Sequence, residues 1–287
     1  MKKPLFTGVA TALVTPMKNG EIDFPAYDAL LRQQAGIPAL VVTGTTGEAA
    51  TLSTAEKKSL WTYTAQKSEA CVIAGIGTND TRTSAENARL AQQCGVDGLL
   101  AVTPYYNKGT QAGLCAHFFA IADSTSLPLI VYNVPSRTGV NLLPETCAKL
   151  AEHENIIGVK EASGDLVQAA KIRRLCPDDF YLWSGNDDQI VPMLSLGGIG
   201  VISVLSGIRP EGVKRMVQAA LDGDFRLAAA LQLHYLPLIE ALFSEVNPIP
   251  IKAALAAEGY CTDEVRLPLT PMRAEKRGQL LQALSIS

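Results

Sequence analysis

Eight short apolar runs, separated by segments with helical signals, recur along the first 204 residues. They are rich in Val, Ile and Leu and alternate little with polar residues, which is typical of parallel strands buried on both faces. Eight strands, each followed by a helix, is the number that closes a parallel barrel. The pattern therefore predicts an α/β fold, a (β/α)₈ TIM barrel. The predicted strands are residues 9–14, 39–42, 71–76, 99–102, 127–134, 156–160, 180–183 and 199–204.

Local capping signals support helices between these strands. Residues 53–56, Ser-Thr-Ala-Glu, form a capping box that opens a helix toward residue 66. Asn79 or Asp80 caps a helix over 81–94, and Gly95 follows as its predicted C′ residue. Pro144 stands where a first helical turn tolerates proline.

The pattern becomes wholly helical beyond Pro210, with helices predicted over 219–230, 231–243, 251–258 and 274–284. We therefore assign residues 1–224 to a catalytic barrel and residues 225–287 to a C-terminal helical extension. An open doubly wound sheet is the alternative fold. It would need a Gly-rich phosphate loop after the first strand, and residues 14–20, Val-Thr-Pro-Met-Lys-Asn-Gly, do not form one.

Charge and composition narrow the function classes. The chain has 25 Lys plus Arg against 28 Asp plus Glu, a net charge of −3 without blocks of one sign, so we expect no nucleic-acid partner. Neither a signal peptide nor an apolar stretch of about 20 residues is present, so we expect a cytoplasmic protein that does not enter a membrane. The 6 scattered cysteines and 3 histidines favour free thiols over a metal site or a disulfide framework.

Polar residues at the predicted strand ends are the functional candidates, because active sites of such barrels lie at the C-terminal ends of the strands. We expect them to meet on one rim. The candidates are Thr45, Thr46, Tyr105, Tyr106, Tyr132, Arg137, Lys160, Gly185, Ile202 and Ser203.

Lys160 is the sharpest of these signals. It ends the apolar run 156–159, so its ammonium would lie in the upper barrel interior. Poor solvation there lowers the pKa of an amine and increases the fraction able to attack a carbonyl. The alternatives are a lysine that reaches solvent or pairs with Glu161 or Asp187.

Two further segments suit the binding of carboxylates. Residues 44–48, Gly-Thr-Thr-Gly-Glu, offer backbone N–H groups and two hydroxyls, although an ordinary turn has the same composition. Tyr132 and Arg137 combine a phenol that can relay protons with a guanidinium that can grip a carboxylate. A packed tyrosine and a solvated arginine remain the alternative, and Tyr105 with Tyr106 could equally anchor a subunit contact.

Seven blocks in this order resemble one known family. The chain is similar to the dihydrodipicolinate synthase branch of the pyruvate-dependent, Schiff-base-forming aldolases and lyases. The resemblance extends over almost the whole chain. The blocks are residues 44–48 (GTTGE), 104–107 (PYYN), 132–139 (YNVPSRTG), 158–162 (GVKEA), 184–187 (SGND), 200–203 (GVIS) and 247–250 (NPIP).

The resemblance implies a Schiff-base lyase of lysine and diaminopimelate biosynthesis that condenses pyruvate with L-aspartate 4-semialdehyde. Lys160 would form the imine, and Tyr132, Thr45 and Tyr106 would relay protons, with Tyr106 reaching in from a neighbouring subunit. No metal or organic cofactor is implied. A homotetramer, arranged as a dimer of dimers, is the expected assembly.

The same resemblance implies the substrate-binding residues. Thr45 and Thr46 would hold the carboxylate of pyruvate, and Arg137 would receive that of the semialdehyde. Gly185 and Ile202 would complete the substrate-binding wall.

Two other functions are weighed against this one. A sister aldolase, such as an N-acetylneuraminate lyase or a 2-keto-3-deoxy sugar acid aldolase, would share Lys160 and Tyr132 but usually lacks a basic residue at the place of Arg137. An inactive binding barrel would be expected to have lost Lys160 or Tyr132, and the chain retains both.

Regulation is where the chain departs from part of that family. Many lysine-inhibited relatives carry histidines after the T-T-G-E turn and an acidic residue shortly after the asparagine that matches Asn79. Here those positions hold Thr54, Lys57 and Thr83. An incoming lysine would meet the Lys57 cation without a compensating carboxylate, unless Glu56 or Glu86 supplies one. We therefore expect weak or absent inhibition by lysine.

Overall fold

Eight parallel strands close into a barrel in a computed structural model that describes all 287 residues. Neighbours in the barrel are neighbours in the chain, and β1 closes the ring by pairing with both β4 and β10. The predicted TIM barrel is confirmed. The strands are β1 (Gly8–Ala12), β2 (Met17–Lys18), β3 (Glu21–Ile22), β4 (Ala39–Val42), β5 (Cys71–Gly75), β6 (Gly98–Val102), β7 (Leu129–Asn133), β8 (Ile156–Glu161), β9 (Tyr181–Ser184) and β10 (Gly200–Ser203).

Helices surround the barrel and continue beyond it. They are α1 (Phe24–Gln33), α2 (Thr54–Lys67), α3 (Thr81–Gln93), α4 (Gln111–Ala122), α5 (Pro135–Thr138), α6 (Pro144–Leu150), α7 (Leu166–Leu175), α8 (Ile190–Ser195), α9 (Pro210–Leu221), α10 (Phe225–Leu242), α11 (Ile249–Ala257) and α12 (Ala274–Ile286). None of them is both long and apolar enough to span a membrane.

The predicted capping signals act as the sequence indicates. The Ser53 hydroxyl accepts from the Glu56 N–H while the Glu56 carboxylate accepts from the Ser53 N–H, which satisfies two free donors at the start of α2. The Asp80 side chain caps α3, and Gly95 follows that helix with a φ of +81°. Glycine adopts this left-handed conformation without a Cβ penalty.

The predicted helices over 219–230 and 231–243 are wrong in their bounds, because α9 ends at Leu221 and α10 covers Phe225–Leu242. The chain breaks instead at Gly223, whose φ is +86°, and the Asp224 carboxylate accepts from the Leu227 N–H to begin α10. A helix start with its own cap outweighs the continuous apolar pattern on either side. The division into a barrel of 1–224 and an extension of 225–287 stays a prediction.

A short hairpin that was not predicted lies between β1 and α1. Strands β2 and β3 pair antiparallel around Asn19 and Gly20, both with positive φ. Asn-Gly is the strongest short hairpin signal, so the sequence did contain the clue. The Glu264 carboxylate accepts from both turn N–H groups, at 2.9 Å and 2.5 Å, and ties the hairpin to the C-terminal region.

The barrel interior forms a core of its own, separate from the larger core between sheet and helices. Phe6 and Trp183 stack inside the barrel with ring centres 5.3 Å apart. Tyr132 belongs to the same interior cluster. Packed apolar side chains, three of them aromatic, therefore fill the barrel interior, and reactive groups have room only near the strand ends.

Candidate active site

Tyr132 and Lys160 lie side by side at the ends of β7 and β8. They are register partners of adjacent parallel strands, so their side chains point to the same face, the barrel interior. Each side chain is 7% exposed. The Lys160 Nζ lies 4.1 Å from the centre of the Tyr132 ring. The structure thus brings the predicted amine and phenol into direct contact.

Burial is the main influence on the amine. It lowers the pKa of Lys160 to about 7, with Asp187 opposing the shift and Arg137 adding to it. Because Lys160 is buried, the alternative of a solvated lysine is wrong. Because it takes part in none of the ion pairs of the chain, the alternative of a lysine paired with Glu161 or Asp187 is wrong as well. Near neutral pH a large fraction of the side chain is free amine, and that fraction rises as pH increases through 7.

Asp187 is a buried carboxylate that stays separate from Lys160. Its oxygens accept from the Ser203 hydroxyl at 2.5 Å and from the N–H groups of Val204 and Leu205 at 3.0 Å and 2.9 Å. Burial raises the pKa of Asp187, and these donors together with Lys160 oppose that rise. The carboxylate supplies a long-range negative charge without removing the amine from reaction.

Gly185 provides the space that Lys160 occupies. A Cβ at this position would lie 2.7 Å from the Ala162 Cβ and 3.0 Å from the Lys160 Cε, so a side chain here would clash with Ala162 and crowd the lysine stem. Ile202, on β10, is 1% exposed and lies in the interior cluster with Tyr132. Gly185 thus lies beside Lys160 and Ile202 in the interior cluster of Tyr132, and their role as a substrate-binding wall stays a prediction.

Tyr132 keeps its proton at neutral pH. Burial raises the pKa of Tyr132 to about 12, although Arg137 and the nearby Thr45 hydroxyl oppose the shift. A protonated phenol donates a hydrogen bond and can return a proton, which is the behaviour a relay needs. Thr45 and Arg137 thus lie near the phenol, as the sequence predicts.

The turn after β4 has a constrained backbone. Thr43 and Glu48 have φ values of +55° and +57°, which are unfavourable for residues with a Cβ and most of all for a β-branched one. Thr43 is held there because its hydroxyl accepts from the Trp61 Nε1–H at 2.7 Å and donates to the Gly75 carbonyl at 3.1 Å. The sequence predicts the turn but does not indicate these two hydrogen bonds.

Thr46 and Arg137 are both linked to Asn247, a residue that was not a candidate. The Asn247 Nδ2 donates to the Thr46 hydroxyl at 2.9 Å, and the Arg137 Nη2 donates to the Asn247 carbonyl at 3.3 Å. Arg137, on α5, is exposed at the barrel mouth. The only sequence signal for Asn247 is its place in the block 247–250, Asn-Pro-Ile-Pro, which is shared with the family.

Tyr106 is the one predicted catalytic residue that a single chain does not bring into the cluster. Its side chain is 87% exposed, and its backbone has a φ of +75°. The neighbouring Tyr105 is 37% exposed. A side chain so exposed cannot pack against the buried Lys160 of its own chain.

A buried polar network behind the strands was also missed. The Glu161 carboxylate accepts from the Asn133 Nδ2 at 3.0 Å, the Gln168 Nε2 at 3.2 Å and the Ser163 N–H at 2.6 Å. Asn133 and Glu161 are register partners that directly follow Tyr132 and Lys160. The network therefore fixes the ends of β7 and β8 relative to each other.

The structure contains neither a disulfide nor a group of three metal-ligating side chains. All six cysteines are free. No three His, Cys, Asp or Glu residues lie close enough together to hold a metal ion.

The fold and this site define a class of protein, the (β/α)₈-barrel lyases that form a Schiff base on a lysine. Residues 5–287 match the model of the dihydrodipicolinate synthetase family, and the chain belongs to that family.

Two curated relatives are similar over nearly their full length. The 4-hydroxy-tetrahydrodipicolinate synthase of Alkaliphilus oremlandii is 49% identical over 284 residues, which cover 98% of each chain. The enzyme of the same name from an Exiguobacterium species is 47% identical over 285 residues, 98% of this chain and 97% of the relative.

The structural comparison agrees. A crystal structure of dihydrodipicolinate synthase from Thermotoga maritima superposes with a TM-score of 0.97 at 42% identity and covers 98% of both chains. One from Cyanidioschyzon merolae, described with lysine bound, gives a TM-score of 0.96 at 44% identity over 99% of each chain.

Proposed function

We propose that the protein condenses pyruvate with L-aspartate 4-semialdehyde through an imine on Lys160. The observation that carries the proposal is the Lys160 amine, buried and free of any ion pair, in contact with the Tyr132 ring. The family and the names of its relatives support the choice of substrates.

The reaction follows from the chemistry of the amine. The neutral Lys160 Nζ attacks the pyruvate ketone, and loss of water gives an imine whose cationic nitrogen acidifies the adjacent methyl group. Removal of a methyl proton yields an enamine that adds to the semialdehyde carbonyl. The amine of the second substrate then attacks the imine carbon, closes the ring and releases Lys160.

The surrounding residues take specific roles in this proposal. Tyr132 passes protons through the Thr45 hydroxyl, because each step above moves a proton near the imine nitrogen. Thr45 and Thr46 bind the pyruvate carboxylate, and Gly185 and Ile202 form the wall beside it. The chemistry calls for no metal or organic cofactor.

A substrate panel tests the function. Purified protein and pyruvate are offered L-aspartate 4-semialdehyde, N-acetylmannosamine or glyceraldehyde, and product is followed by mass spectrometry. Of the three aldehydes, we expect only the semialdehyde to give rapid product formation with pyruvate. Preferential turnover of a sugar aldehyde would assign the chain to a sister aldolase, and no turnover of any aldehyde would favour an inactive barrel.

Arg137 is proposed to bind the carboxylate of the semialdehyde. It lies at the barrel mouth, on α5, whereas Lys160 lies inside the barrel. Arg137→Ala should raise the KM for the semialdehyde by about 10- to 100-fold, the loss expected for a charge-assisted hydrogen bond, and leave the KM for pyruvate within about threefold. Steady-state kinetics with each substrate varied in turn measures the difference. Equal effects on both substrates would contradict the assignment.

Tyr106 is proposed to complete the relay from a neighbouring subunit of a homotetramer built as a dimer of dimers. The proposal accounts for a tyrosine that is 87% exposed in its own chain. Mixing inactive Tyr106→Phe and Lys160→Ala subunits should produce hybrids in which some sites have both residues, so activity returns.

Native mass spectrometry verifies that hybrids of the two variants form. Hybrids that form and remain inactive would show that Tyr106 works within its own chain or has only a structural role. Mixing each variant with itself under the same conditions is the matched control.

Lysine is expected to inhibit weakly or not at all. The Glu56 carboxylate accepts from the Arg266 guanidinium at 2.5 Å and from Ser53, so it is already paired and does not offset the Lys57 charge. Thr83 is neutral, and its hydroxyl donates to Asp80 at 2.5 Å. A steady-state assay with increasing lysine measures the inhibition. Half-inhibition at a lysine concentration below about 1 mM would contradict the prediction.

A further inference from the structure

A buried ion pair joins the turn after β4 to helix α11. The Lys252 ammonium contacts the Glu48 carboxylate, and the two side chains are 0% and 1% exposed. Each of the two charged groups makes a further hydrogen bond to the backbone of the C-terminal region. Lys252 also donates to the Glu264 carbonyl at 2.6 Å, and Glu48 accepts from the Arg266 N–H at 3.0 Å.

Stability alone is a weak explanation for such a pair. Two charges lose their hydration when they are buried, and replacing a buried pair with apolar residues of similar volume is often neutral or stabilising. A fully hydrogen-bonded pair does, however, fix the relative position of the two elements that carry it. Here those elements lie 204 positions apart in the chain.

The elements joined are the turn with Thr45 and Thr46 and helix α11 of the C-terminal region. Glu48 closes the turn, because its N–H donates to the Thr45 carbonyl at 3.1 Å and its φ is +57°. Thr46 is held from the same side, since its hydroxyl accepts from the Asn247 Nδ2 at 2.9 Å. The turn is thus fixed at its end by Lys252 and near its centre by Asn247.

We propose that Glu48 and Lys252 are positioning residues that hold Thr45 and Thr46 in the geometry that binds the pyruvate carboxylate. They touch neither substrate nor the Lys160 amine and act through the turn. The inference rests on the proposed function, since it assigns a purpose to a turn that would bind pyruvate.

Double substitution separates positioning from folding. Removing one partner leaves the other charge buried and unpaired, so Glu48→Gln or Lys252→Met alone is expected to fold poorly. Glu48→Gln combined with Lys252→Met removes both charges and keeps the volumes, so this double variant should fold. Glu48→Gln combined with Lys252→Gln, which retains hydrogen-bonding groups, serves as a second folded variant. Circular dichroism and thermal unfolding verify folding.

The matched control removes another ion pair of the same helix region. Arg209 donates to Glu258, at the end of α11, at 2.7 Å, and this pair does not touch the turn. Glu258→Gln should lower the unfolding temperature slightly and leave the kinetics unchanged.

The measurement is the pyruvate concentration that half-saturates imine trapping by borohydride, read from the mass of the intact chain. In the first double variant we expect this concentration and the KM for pyruvate to rise about 10- to 100-fold, the effect of losing one hydrogen bond to a charged group. The KM for the semialdehyde should stay within about threefold, and kcat should fall less than the KM for pyruvate rises. The second double variant should recover part of the loss.

The outcomes distinguish the positioning role from the proposed function. Folded double variants with an unchanged half-saturating pyruvate concentration would overturn the positioning role. An equal rise of that concentration in the Glu258→Gln control would overturn it as well. Absence of trapping in the unsubstituted protein would overturn the proposed function and this inference with it.

Discussion

Replacing Lys160 with methionine is expected to abolish condensation, with a loss of roughly 10⁴-fold or more in kcat/KM, because the change removes the amine proposed to form the imine. Methionine keeps most of the volume of the lysine stem, so the contact with the Tyr132 ring and the space left by Gly185 remain filled. Steady-state turnover of pyruvate and semialdehyde measures the loss.

Mass spectrometry locates the reacting amine. Reduction with borohydride in the presence of pyruvate should add the pyruvate-derived mass to the peptide that contains Lys160 and leave the Lys160→Met protein unlabelled. Lys171→Met, an exposed lysine on α7, is the matched control and should label and turn over normally. Labelling of a different lysine, or substantial activity in Lys160→Met, would refute the assignment.

Unfolding does not explain the expected loss. Burial lowers the pKa of Lys160 to about 7, so between that value and about 10.4 the unfolded chain binds more protons than the folded one. The free energy of unfolding therefore rises with pH across this interval, and at pH 7 the lysine destabilises the fold. Removing it should leave the unfolding temperature at pH 7 equal or higher.

The parts predictable from sequence are those set by local pattern. Each barrel strand coincides with a predicted apolar run to within a few residues, because a strand buried on both faces needs an unbroken apolar sequence. Lys160 stands out for the same reason, as a charge that interrupts the end of such a run. In a parallel barrel, strand ends share one rim, so position in the chain was enough to group Thr45, Tyr132 and Lys160.

The parts that escaped prediction depend on contacts between distant residues. Glu48 meets Lys252 across 204 positions, and Asn247 reaches Thr46 across 201. Apolar periodicity does not indicate contacts between distant residues, and a lysine in the helical sequence around 252 is expected to be exposed. The buried Glu161 was hidden in the same way, because its partners come from two other elements, β7 and α7.

The break at Gly223 shows a different limit. The apolar pattern continues across 219–230, yet a glycine with a φ of +86° and the Asp224 cap divide it into two helices. Apolar periodicity indicates which residues are buried and only weakly where a helix ends. The cap residues themselves were visible in the sequence and would have given the boundary.

Tyr132→Phe is expected to lower kcat by about 10²- to 10⁴-fold, the usual contribution of a positioned proton donor and acceptor. The change removes only the hydroxyl, so the ring that lies 4.1 Å from the Lys160 Nζ remains in place. In the proposed relay that hydroxyl moves protons and does not bind the pyruvate carboxylate, so the KM for pyruvate should change little. Steady-state kinetics gives both values, and Tyr181→Phe on β9, whose hydroxyl donates to the Lys2 carbonyl at 2.8 Å, is the matched control.

The pH profile distinguishes a relay from a packing role for Tyr132. Its pKa is raised to about 12 and that of Lys160 is lowered to about 7, so only the lysine titrates in the neutral range. The rate of imine formation should rise as pH increases through 7 in both the unsubstituted and the Tyr132→Phe protein, with the variant slower at every pH. If the phenol only packed, Tyr132→Phe would retain nearly full activity. If the phenolate were the base, the activity of the unsubstituted protein would keep rising toward pH 12, whereas a protonated relay predicts a plateau once Lys160 has lost its proton.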